Sequence, residues 1–124
     1  MSENWVLNAS PLIALARVGL QGVFFDLTEQ AVVPEAVAEE INAGPGDDPA
    51  RRFLAEGRIP VVSATPPPAE LLAWDLGAGK TAVLSYALTN PGWTVILDDG
   101  AARNCARSFS IPYKDTLAVV LLAK

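Results

Sequence analysis

A chain of 124 residues is enough to bury one core and too short for a two-domain enzyme, so a single domain over 1–124 is expected. With 51% hydrophobic and 19% charged residues it is not a disordered chain, and its formal charge of −5 gives it no general attraction for nucleic acid. A lone cysteine excludes an internal disulfide, and the absence of histidine excludes histidine-based triads, histidine zinc sites and the usual general base. Chemistry therefore falls to carboxylates, lysine, hydroxyls and a recruited metal ion. The first residues carry no signal-peptide pattern, and the longest apolar run, Leu117 to Ala123, is too short to cross a bilayer. A soluble, cytoplasmic protein with no membrane partner is expected.

In chain order, Trp5-Val6-Leu7 reads as a short apolar strand ending at Asn8. Ser10-Pro11 then opens a helix, with Ser10 as the expected N-cap and Gly19 as the stop. Ala31 to Val33 reads as a second strand, and Pro34 opens a helix through Ile41. Asp48-Pro49 starts another helix carrying Phe53 and Leu54 and stopping at Gly57. Ile59 to Val62 reads as a third strand, placed at a sheet edge by Pro60. Thr65 to Pro68 is a stiff spacer, followed by a helix expected over Thr81 to Leu88. Trp93 to Leu97 is the fourth strand, Gly100 to Arg107 a helix, Ile111 to Tyr113 a last strand and Thr116 to Ala123 a last helix. Strand and helix alternate throughout, which predicts a parallel sheet covered by helices. Cys105, beside Ala102, Ala106 and Phe109, reads as a small core filler.

The most informative stretch is Ile96-Leu97-Asp98-Asp99, two carboxylates where an apolar strand stops and a helix begins. Open α/β sheets place their ligand sites at such strand ends, and adjacent acids suit a hard cation held by oxygen. The competing reading is that one of the pair merely caps the next helix. Glu40 lies beside the apolar stripe of its helix, where an unpaired carboxylate is costly, while Glu39 points away. Lys80 lies just ahead of the stripe Val83, Leu84, Ala87 and Leu88, at a helix end where the dipole disfavours a cation. Gly77 to Thr81 looks like the end of a phosphate-binding P-loop, but Trp74 stands where that motif needs glycine. Arg103 and Arg107, one helical turn apart, could face an RNA backbone or simply form a solvated face. Arg51, Arg52 and Arg58 are expected to pair with Asp47, Asp48 and Glu56 at the surface, and the tryptophans to be core or interface residues.

Taken in order, Val6 to Ile13, Val33 to Ile41, Leu76 to Lys80, Leu97 to Arg103 and the final Ala123-Lys124 resemble a PIN domain. Within that family the chain is similar to the VapC-like branch whose first motif reads Asn-x-Ser-Pro-Leu-Ile. The resemblance implies a three-layer α/β/α fold with a central, mostly parallel sheet and acidic residues gathered at one end. It also implies Mg²⁺ or Mn²⁺ and hydrolysis of RNA by activated water, often as the toxin of a toxin–antitoxin pair. An antitoxin protein and a homodimer are the implied partners besides RNA. Asn8 would take the place of the family's first aspartate, supported by Ser10. Glu40, Asp98 and Asp99 would hold the ion, and Ser10, Lys80, Arg103 and Arg107 would contact substrate. Lys80 departs from the pattern, standing where this branch has glutamate. A lysine there either steadies the scissile phosphate or replaces the ion, leaving a binding module without catalysis.

Overall fold

A computed structural model of the chain describes residues 3–63 and 65–123. Lys124, at the end of the family resemblance, lies outside them. In chain order the elements are β1 (Glu3–Leu7), α1 (Ala9–Arg17), α2 (Val23–Asp26), β2 (Thr28–Pro34), α3 (Glu35–Asn42), α4 (Pro49–Ala55) and β3 (Val61–Val62). They continue with α5 (Ala69–Leu72), α6 (Ala78–Thr89), β4 (Trp93–Ile96), α7 (Gly100–Ser108), β5 (Tyr113–Lys114) and α8 (Thr116–Leu122).

The five strands form one sheet in the order β3-β2-β1-β4-β5, with every pairing parallel. Parallel strands covered on both faces read as continuous apolar runs, and here Trp5, Val6, Leu7, Val95 and Ile96 are almost fully buried. Helices complete the core with Leu12 and Leu15 of α1, Val37 of α3, Val83 and Leu84 of α6, and Ala102 and Cys105 of α7. Cys105 is thus the expected filler, and burial raises its thiol pKa. The chain steps outward from β1 through β2 to β3, then returns to the other side of β1 to lay down β4 and β5. That reversal puts a crevice outside the carboxyl ends of β1 and β4, the usual ligand position in open α/β sheets. Asn8 follows β1 and Asp98 follows β4. The two strand ends are tied by the Asn8 N–H, which donates to the Ile96 carbonyl at 3.0 Å.

Several local expectations are corrected. Ser10 is not an N-cap: α1 starts at Ala9, Asn8 holds the cap position, and Ser10 lies in the first turn with its hydroxyl turned to the site. Lys80 is not ahead of its helix but inside its first turn, because α6 begins at Ala78. Gly77, at φ 90°, makes the turn that lets the helix start so early, in a left-handed region that glycine enters freely. The strand β2 begins at Thr28, three residues before the apolar run, since pairing with Glu3 and Asn4 extends it through polar residues. The expected pairing of the basic cluster fails as well. Asp48 accepts from Arg17 at 2.9 Å, Arg51 donates to the Gly44 carbonyl, and Arg58 lies over the Phe25 ring. Trp5 is core and Trp93 half-buried, whereas Trp74 is exposed.

Candidate active site

The starts of α1, α6, α7 and α8 and the far end of α3 meet at the crevice. Asp98, just past β4, is held by three donors: the Thr116 N–H reaches Oδ1 at 2.8 Å, the Thr116 hydroxyl reaches Oδ2 at 2.7 Å, and the Ser10 hydroxyl reaches Oδ2 at 3.3 Å. That carboxylate joins the starts of α8 and α1 to the end of β4. Asp99 does the local work of a cap, its Oδ2 accepting from the Ala102 N–H at 2.9 Å. Its other oxygen lies 3.8 Å from the Lys80 Nζ. The capping reading therefore holds for Asp99 and not for Asp98.

Glu40 reaches the site from the far end of α3. A methyl group at Gly79 would stand 2.9 Å from Glu40 Oε1 and 3.8 Å from Asn8 Oδ1, so both side chains converge on this one glycine. Gly79 is buried in the first turn of α6, and its lack of a side chain leaves room for the Glu40 carboxylate. Asn8 is only 3% exposed, and its side chain makes no capping bond. Among the described residues, no hydrogen bond or ion pair engages the Glu40 carboxylate. A cleft of about 400 Å³ runs outward from Ser10 and Glu40 along Ile13 and Ala14 to Arg17.

Sequence reading missed three participants. In the sequence Gly79 stands only within the P-loop-like stretch and the motif Leu76 to Lys80, with no role of its own. Asp115 and Thr116 follow the last strand as Asp98-Asp99 follows β4, and strand order, invisible in sequence, brings them together. Asp115 caps α8 through the Ala118 N–H at 2.8 Å and faces Arg103 at 3.4 Å. Arg107 donates to Asn104 at 3.0 Å and to the Tyr113 hydroxyl at 2.8 Å. Both arginines named for RNA contact are thus engaged by neighbours on their own side of the sheet.

The donor set suits a hard ion in part. It is all oxygen, Asp98 is oriented by hydrogen bonds, and Glu40 is uncommitted. Yet among the described residues no group of three or more His, Cys, Asp or Glu is close enough to form a metal cage. Mg²⁺ rarely needs one: it is usually held by one or two carboxylates, waters and substrate phosphates. The residues fit one ion shared with substrate, with the Lys80 ammonium beside Asp99.

A parallel five-stranded α/β sheet with carboxylates at its switch point defines a nuclease-type PIN fold. A family model described as DUF3368, PIN domain, matches residues 4–124, and the chain belongs to the PIN-domain family. The fold is also that of a solved protein, PAE2754 from Pyrobaculum aerophilum. The two are 17% identical with a TM-score of 0.61, covering 98% of this chain and 91% of that one. No curated protein sequence matches. No described helix is long and apolar enough to cross a membrane.

Proposed function

We propose that the chain is a ribonuclease that hydrolyses phosphodiester bonds with a single Mg²⁺ or Mn²⁺ recruited together with its RNA. The observation that carries the reading is the contrast between two carboxylates at one sheet end. Asp98 is fixed by Ser10 and Thr116, whereas Glu40 is close by across Gly79 and free of protein donors. Asp98, with Glu40 or the Lys80-facing oxygen of Asp99, would hold the ion together with waters and the substrate phosphate, and the ion would supply an activated water and neutralise charge building on the phosphorus. Asn8 and Ser10 keep the end of β1 and the Asp98 carboxylate in place. Lys80, at the start of α6 where main-chain N–H groups also face outward, would bind the scissile phosphate. The cleft toward Arg17 offers a path for the strand. The net acidity of the chain means that a polyanion needs the ion, or a local basic patch, to approach.

The resemblance to the VapC-like branch extends this proposal to a cytoplasmic toxin with a cognate antitoxin. Exposed Val18 and Leu20 just past α1, and Leu117 and Leu121 on the adjoining α8, support a homodimer. The Lys80–Asp99 pair favours a second reading, in which the lysine stands in for the ion and the domain only binds.

Calorimetric titration with Mn²⁺ separates the two. Saturable binding, weak without RNA and lost in Asp98→Ala and Glu40→Gln, is the expected result. No binding at ~10 mM, with or without single-stranded RNA, would reject the nuclease reading and leave the binding module.

A further inference from the structure

The strand β2 is seven residues long, but its outer neighbour β3 covers only its end. Val33 and Pro34 pair with Val61 and Val62, and the Val33 N–H donates to the Pro60 carbonyl at 3.0 Å. Main-chain groups alternate sides along a strand. The same side of β2 therefore presents the N–H and C=O of Ala31, with no strand alongside among the described residues; the register against β1 shifts between Thr28 and Gln30, so the alternation runs no further back than Gln30. An open edge of this kind is a template for another extended chain.

The edge is also furnished with side chains. A groove of about 290 Å³ lies along it, floored by the half-buried Phe25 above the core residue Phe24 and closed at one end by Arg58 and Pro60. The Arg58 guanidinium rests 4.1 Å from the Phe25 ring centre, and among the described residues no carboxylate forms an ion pair with it. Because all the strands are parallel, the groove lies at the sheet end opposite Asn8, Glu40 and Asp98. An occupant there leaves the active-site crevice open.

We infer that the N-terminal half of β2 is a docking edge for an extended segment of a partner polypeptide. The segment adds a strand beside Ala31, sets an apolar side chain against Phe25, and places an acidic side chain on Arg58. The open amide pair demands extended backbone, and the unpaired cation on an aromatic ring selects a carboxylate.

The test is selection of a random seven-residue phage-displayed library on the full chain, followed by fluorescence polarisation with a synthesised, labelled winner. Recovered sequences should alternate β-branched or aromatic residues with polar ones and carry an Asp or Glu. Ala31→Pro removes an outward N–H that no other strand uses, and should weaken binding at least tenfold. Arg58→Glu, at an exposed position, should change the selected charge from acidic to basic, which keeps the idea testable if the proline variant misfolds. No enrichment, or peptides bound equally by the wild type and both variants, would overturn it. A dimer in sedimentation that Ala31→Pro dissolves would also overturn it, by assigning the edge to a second copy.

Discussion

Replacing Lys80 by glutamate puts a carboxylate beside Asp99 and tests how this site handles charge. Lys80 and Asp99 are 3.8 Å apart, with 35% and 38% of their side chains exposed. At that separation two unit charges interact by roughly 1 kcal/mol in water, and an exposed pair delivers about 0–1 kcal/mol net. Without metal, Lys80→Glu loses this attraction and adds a comparable repulsion. An acid in the first turn of α6 regains ~0.3–1 kcal/mol from the helix dipole. The variant should therefore be less stable by about 1 kcal/mol, a Tm lower by about 3–5 °C for a chain of this size. With Mn²⁺ the sign reverses. A change of two charges beside a divalent ion is worth about 4 kcal/mol on the same scale, and screening leaves ~2 kcal/mol, roughly a 30-fold gain in affinity. Differential scanning fluorimetry in EDTA and in a Mn²⁺ series reads both effects. The two melting curves should cross as Mn²⁺ rises. Equal Mn²⁺ responses in wild type and variant would mean that Lys80 does not face the carboxylates, and would refute the placement of charge argued above.

Gly79→Ala should separate stability from function. The new methyl forces the Glu40 carboxylate from its 2.9 Å approach, but that is the end of a flexible side chain, while Val37 at 3.7 Å needs no adjustment. Helix propensity favours alanine by about 0.5–1 kcal/mol, so thermal unfolding should show an unchanged or slightly raised Tm, while calorimetry shows Mn²⁺ affinity reduced at least tenfold. The Arg17 hydrogen bond, and then the Ala50 N–H, hold the Asp48 pKa below its ordinary value of 3.8. A depressed carboxylate pKa adds stability above the unfolded value that is lost as pH falls through the folded one. The advantage of wild type over Asp48→Asn, measured by urea unfolding, should be constant near neutrality and shrink below about pH 3.8. An advantage that grows on acidification would contradict the pairing.

Much of the architecture is legible because apolar runs and punctuation are local signals. Trp93 to Leu97 could only be a covered strand, and Asp48-Pro49 and Asp115-Thr116 start helices as cap-then-helix pairs do. The four-residue helices α2 and α5 were not legible, since one turn is too short to show a period. Ser10 misled because serine before proline is the usual cap signal, yet the buried Asn8 already ends β1 and takes that position.

The amino-acid sequence by itself determined the strand–helix alternation, the all-oxygen chemistry and the residue types at the strand ends, because each depends on a few neighbouring residues. Only the tertiary structure decided what those residues do. Asp98 became the fixed carboxylate because Thr116 and Ser10 come from distant segments, which leaves the local capping of α7 to Asp99. Glu40 and Asn8 both reach Gly79, where the missing side chain leaves room for the Glu40 carboxylate. The open edge of β2 exists because β3 is two residues long. Each outcome rests on contacts between segments far apart in the chain, which no local pattern encodes.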